Sequence, residues 1–118
     1  MDEAAAQRLL RLVGLGVRSR GAVVGVEQVR EAAKKGKLAL AVVASDASQH
    51  SVSKVVPLLV ARRVDVVHTP SAAALGKAVG REQTAAVGIV DRKLAQGIRE
   101  LADTAPDGSP TDVKGRQS

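Results

Sequence analysis

The chain has 118 residues, the length of one domain, and can bury a core without a covalent or metal staple; with no cysteine, disulfides, thiolate metal sites and cysteine nucleophiles are excluded. Hydrophobic residues make up 45% of it, yet Phe, Tyr and Trp are absent, so the core is built from Val, Leu, Ile and Ala. That absence also disfavours nucleic-acid folds that stack bases on aromatic rings, while a net charge of +6 either attracts polyanions or serves solubility.

The N-terminal stretch MDEAAAQRLLRLVGLG places acids before its apolar part and has no basic leader, so it makes a poor signal peptide. No apolar run approaches the ~20 residues that span a bilayer, and a cytoplasmic protein is expected. Residues 3 to 13 carry Leu9, Leu12 and Val13 at helical spacing, with Gly14 and Gly16 as expected stops. Ala22-Val23-Val24 is long enough only for a short strand. A helix is expected from Glu27 to Lys35, with Val29, Ala32 and Ala33 on its buried face. Gly36 is its C-terminal glycine, and Lys34 and Lys35 suit the negative end of its dipole.

Leu38 to Ala44 (LALAVVA) reads as a strand buried on both faces. Ser45, Asp46 and Ser48 are turn and cap residues. Val52, Val55, Val56, Leu59 and Val60 then mark a helix with a broad buried face, and Pro57 inside it predicts a kink or a restart. VDVVH at 64–68 is a second buried strand. Thr69-Pro70-Ser71 turns into a short helix with Leu75, Ala78 and Val79 inward, ended by Gly80. Residues 84–90 form a third long strand, and 93–102 a last helix on Leu94, Ile98 and Leu101. The segment from Thr104 onward, with two prolines, two glycines and little apolar mass, is expected to be a disordered tail after a domain of residues 1–103. This alternation of helix and strand implies α/β architecture: a sheet sandwiched between helices in three layers, α/β/α.

Motifs of catalysis are missing. There is no HExxH, no GxSxG and no phosphate-cradling glycine-lysine loop, and Gly14-Leu15-Gly16 follows no strand. His50 and His68 are the two histidines. Asp46, His50 and Ser51 lie close in sequence, but Asp46 and Ser51 read better as turn and cap residues than as a triad, and His68 as a strand-end residue. The segment that does carry chemistry is Gly25-Val26-Glu27-Gln28. A helix opened by glycine offers free amides and partial positive charge to a phosphate or a base edge. Glu27 accepts hydrogen bonds, and Gln28 both accepts and donates. Arg18, Arg20, Arg30, Lys34 and Lys37 surround them in sequence and suit phosphate neutralisation. The plainer reading stays open: Glu27 as an acid in a first turn and Gly25 as a turn glycine.

Four segments, Gly25 to Gly36, Leu38 to Asp46, Val56-Pro57-Leu58-Leu59 and Leu75 to Glu82 (LGKAVGRE), resemble in order and spacing the ribosomal L7Ae/L30e/S12e family, over about residues 5 to 103. Within it the closest likeness is to bacterial YlxQ-like RNA-binding proteins. The resemblance implies an L30e-like sandwich with a central mixed sheet of about four strands, RNA binding, no enzymatic activity and no cofactor. Family members commonly bind kink-turn RNA, a sharply bent helix with sheared G·A pairs and a flipped-out base. The family motif runs glycine, any residue, asparagine, glutamate, two further residues, lysine. Here the glycine is Gly25, while Glu27, Gln28 and Glu31 stand at the asparagine, glutamate and lysine positions, and Arg30 precedes the last of these. The family's second contact loop, which covers the flipped base with apolar residues, corresponds to the more polar Arg81-Glu82-Gln83-Thr84-Ala85.

The expected function is therefore non-enzymatic binding of structured, kink-turn-like or ribosomal RNA, in association with ribosomal subunits or translation. Arg20, Gly25, Val26, Glu27, Gln28, Arg30, Lys34 and Lys37 are the expected contacts, with Arg81, Glu82, Gln83 and Thr84 beside them. No metal, cofactor, membrane or small-molecule substrate is expected. The alternative is a protein-interaction module that kept the fold and lost the RNA site, which the acids at 27 and 31 favour.

Overall fold

The computed structural model describes residues 2–69 and 71–102; the expected tail lies outside the described residues. In chain order the elements are α1 (Glu3–Arg18), β1 (Ala22–Val24), α2 (Val26–Lys34), β2 (Leu40–Ala44), α3 (Gln49–Ala61), β3 (Asp65–Thr69), α4 (Ala72–Ala78), β4 (Ala86–Ile89) and α5 (Arg92–Ala102). The strands form one mixed sheet in the order β1-β4-β2-β3. β4 runs antiparallel to both β1 and β2, with Gly88 opposite Val23 on one side and Ala41 on the other. β2 and β3 are parallel, pairing Val42 with Val67.

Helices cover both faces. On one, Leu9 and Val13 of α1, Leu75 of α4 and Ala95 and Ile98 of α5 pack on Leu40, Val42, Val87 and Ile89. On the other, Val29 and Ala33 of α2 and Val55 and Leu59 of α3 pack on Ala41, Val43 and Ala86. Alternate residues of β2 thus feed opposite layers, as the pleat requires, and all five are buried. The continuous apolar run that announced β2 is the signature of a central strand.

Three expectations are corrected. α1 does not stop at Gly14 or Gly16 but continues to Arg18. Both glycines are buried contact points: a Cβ on Gly14 would lie 2.6 Å from the Ala78 carbonyl oxygen, and one on Gly16 would strike Leu94. They let α1 approach α4 and α5 closely, and the helix tolerates them because that packing outweighs a propensity cost of about 1 kcal/mol each. α3 does not restart at Pro57, which lies exposed inside the helix, and its buried face is narrower than expected, with Val60 exposed. β3, expected to be buried, is an edge strand whose Asp65 and His68 are exposed.

Because β1, β2 and β3 run the same way and β4 opposes them, the chain is sorted to two ends of the sheet. At one, the front edge, lie the starts of α2, α3 and α4 and the 79–85 loop. At the other, the rear edge, lie the turns that lead into β1, β2 and β3 and the link from β4 to α5.

Candidate nucleic-acid interface

The front edge is organised by Gly25. Its φ of 103° lies where glycine is at ease and a side chain is strained. Its N–H donates to the Ala86 carbonyl at 2.9 Å, fixing the start of α2 against the start of β4. Side-chain oxygens cap the first turns of the other four helices: Asp2 for α1, Ser48 for α3, Ser71 for α4 and Asp91 for α5. α2 alone has no side-chain cap. Space beside Gly25 is open, since a Cβ there would meet nothing within 4 Å, and Glu27 and Gln28 are exposed. The amides of this turn, with the positive end of the α2 dipole, face solvent.

The 79–85 loop lies alongside. Gly80 turns it at a φ of 80°, and Arg81 N–H donates to the Gly76 carbonyl at 2.7 Å. Gly76 lets α4 press directly on the backbone of Gln83. Arg81, Glu82 and Gln83 are exposed. Thr84 faces inward: it is buried, its N–H donates to the Ala72 carbonyl and its hydroxyl is turned to the Ala86 carbonyl at 3.4 Å. The structure thus brings Gly25–Gln28 and Arg81–Gln83 to one edge but withholds the Thr84 side chain.

Arg30 is committed elsewhere than expected. Its guanidinium donates to the Lys54 carbonyl at 2.7 Å, bracing α2 on α3, and lies 3.9 Å from Glu27, which Lys54 also approaches at 3.7 Å. Lys54, which sequence proximity gave no reason to place here, is the cation that α3 adds to this edge. Asp46 is tethered as a turn residue, accepting from the Ala72 N–H at 2.7 Å, and Ser48 caps α3 and bonds Ser51. Asp46 and Ser51 thus have partners other than His50, and both histidines are exposed. Among the described residues no group of His, Asp and Glu is arranged to hold a metal ion.

Arg20, Lys34 and Lys37 do not join the site. β1 carries the chain about 10 Å from Arg20 to Gly25, and α2 carries it about 13 Å back from Gly25 to Lys34. All three belong to the rear edge; the Gly21 carbonyl beside Arg20 accepts from Val90, and Lys37 shares a cleft with Val90 and Arg92. Nearness in sequence placed them around Gly25, and two reversals of the chain separate them from it.

The described residues thus form a three-layer sandwich with an uncapped, glycine-opened helix beside a polar loop at one sheet edge. The chain belongs to the Ribosomal protein L7Ae/L30e/S12e/Gadd45 family, whose model matches residues 7–100. Among solved structures it is similar to a protein of unknown function from Bacillus halodurans, with a TM-score of 0.75 and 28% identity over 80% of this chain and 96% of that one. It is also similar to a 15.5 kD RNA binding protein of Giardia lamblia, with a TM-score of 0.72 and 24% identity over 86% of this chain and 88% of that one. No curated protein matches the sequence.

Proposed function

We propose that the chain is a non-enzymatic RNA-binding protein whose front edge meets a bent or looped segment of structured RNA. The observation that carries this reading is α2, the one helix left uncapped, with Gly25 opening its amides to solvent beside Arg81–Gln83, in a chain of this family. The amides of Val26, Glu27 and Gln28 suit a phosphate or a base edge, and the Gln28 side chain can donate and accept at an unpaired base. Arg81 supplies a phosphate contact. Without an aromatic ring, Val26 is the apolar surface on which a flipped base can rest. A kink-turn and ribosomal RNA are the substrates of choice for the family resemblance, and cytoplasmic association with ribosomal subunits is the setting proposed with them.

The test is titration of a kink-turn RNA against the whole protein and its Gln28→Ala and Arg81→Gln variants. Each variant is expected to weaken binding about tenfold, the worth of one hydrogen bond to a charged or buried partner. Wild-type binding is expected to fall with salt at a shallow log–log slope of roughly −1 to −2, Arg81 and Lys54 being the cations this edge offers to phosphate. Undiminished binding by both variants removes the front edge from the interface. A second reading, a protein-interaction module, is favoured by one observation: Glu27 holds Arg30 and Lys54 where a cation free for phosphate is wanted. Capture of a ribosomal or cytoplasmic protein that survives nuclease treatment, with no kink-turn binding, selects it.

A further inference from the structure

Charge is divided unequally between the two ends of the sheet. At the front edge Glu27, Asp46 and Glu82 are exposed along with Arg81, and the nearby Arg30 and Lys54 are drawn to Glu27. At the rear edge every connection is basic. The α1–β1 turn presents Arg20; the segment before β2 presents Lys35 and Lys37. The α3–β3 turn presents Arg62 and Arg63, and the start of α5 presents Arg92 and Lys93. All are exposed, and among the described residues none of them is in an ion pair. Two acids share this end: Asp91, whose carboxylate caps α5 through its Oδ1 and lies beside Gly21, and Asp65, which holds Arg99 at 2.9 Å; the exposed cations outnumber them. Glu31, one turn ahead of Lys34 and Lys35, stands on α2 rather than on a connection.

Sheet order turns these connections into a row. Taken across β1-β4-β2-β3, the connections carry Arg20, Arg92, Lys37 and Arg63 in that order, at the ends of strands spaced about 4.8 Å apart and about 15 Å across in all. Arg62 ties the row to α2, donating to the Lys34 carbonyl at 3.1 Å. In its middle lies a cleft of about 390 Å³ lined by Lys37, Arg92 and Arg99, with no carboxylate among its lining residues.

We infer that the rear edge is a second RNA-contacting surface, which grips the sugar-phosphate backbone of an A-form duplex, with one phosphate seated between Lys37 and Arg92. The choice of RNA as the polyanion rests on the proposed function. The choice of duplex rests on chemistry: the ridge holds point charges and guanidinium forks without a ring for stacking, and double-stranded RNA is recognised through backbone and shape.

The experiment uses the full chain, a fully paired RNA duplex without internal loops, and a kink-turn RNA. The variant is Lys37→Gln/Arg92→Gln/Lys93→Gln, with Lys37→Arg/Arg92→Lys/Lys93→Arg as its charge-preserving partner and circular dichroism to check folding. Neutralisation is expected to weaken duplex binding at least tenfold near physiological salt and to flatten the salt slope by about 2 to 3, roughly 0.9 for each phosphate no longer neutralised. The charge-preserving variant is expected to bind as wild type. Gln28→Ala/Arg81→Gln is expected to leave duplex binding within twofold while weakening the kink-turn. An unchanged duplex affinity and slope in the neutralised protein overturn the inference, as does tighter binding of wild type to phosphatidylserine vesicles than to duplex. If wild type binds neither RNA, the proposed function falls as well; if it binds the kink-turn through Gln28 and Arg81 while the duplex is indifferent to neutralisation, this inference alone falls.

Discussion

Glycine carries three different jobs in this chain, and they separate at the level of single residues. Gly76 is a steric requirement: α4 lies on the backbone of Gln83, and a Cβ would strike atoms that cannot rotate away. Gly25 is a conformational one, since its surroundings are empty and its φ of 103° alone disfavours a side chain. Gly14 and Gly16 close helix–helix gaps inside an element. Accordingly Gly76→Ala is expected to lose at least 2 kcal/mol of stability through overpacking, by the usual ~1–3 kcal/mol scale. Gly25→Ala is expected to lose about 1–3 kcal/mol through backbone strain alone, since φ 103° with ψ 153° is a region essentially reserved for glycine. Chemical denaturation of the two variants checks both; a loss below about 1 kcal/mol at Gly76 would mean that the packing around it relaxes. The sequence showed Gly25 as a helix opener because its neighbours in the chain supply that context. It misread Gly14 and Gly16 as stops because their reason lies on Ala78 and Leu94, distant in the chain.

At the scale of elements, the limits of α2, α3 and α4 were legible, while the end of α1 and the partners of the helices were not. Ser48, Ser71 and Gly36 declared the limits of α3, α4 and α2 through local cap chemistry, and the LALAVVA run declared a strand buried on both faces. Nothing local told that β3 closes the sheet as an edge or that Lys54 returns to Glu27. Arg30 shows the consequence. Its place beside the family motif suggested a phosphate contact, while the structure gives its guanidinium to the Lys54 carbonyl. Arg30→Ala is therefore expected to lose about 1 kcal/mol of stability as the α2–α3 brace opens, and to change the salt slope of RNA binding by less than about 1. Thermal unfolding beside a salt titration reads both. A full unit of slope removed with unaltered stability would return Arg30 to the interface.

At the scale of the whole molecule, composition announced the excess of positive charge but not where it sits. The placement comes from topology: three strands run one way and the fourth opposes them, so residues a few positions apart in sequence reach opposite ends of a body measuring 35 × 30 × 29 Å. The five residues of β2 alone separate the front edge from the rear by about 16 Å. Two RNA helices approaching opposite ends of such a body need not collide. A kink-turn RNA and a plain duplex are thus expected to occupy one protein molecule together. The measurement is energy transfer between a donor-labelled kink-turn and an acceptor-labelled duplex, with protein at equimolar concentration. Transfer is expected with wild type and abolished with Lys37→Gln/Arg92→Gln/Lys93→Gln, although that variant still shifts the kink-turn in a gel. Competition of the two RNAs for wild type, with one displacing the other mole for mole, would show a single surface and exclude the bridging geometry. A salt titration adds the sign: the duplex, held by phosphate contacts alone, is expected to leave first as ionic strength rises, and the kink-turn, held also by amides and Gln28 at base edges, to leave later.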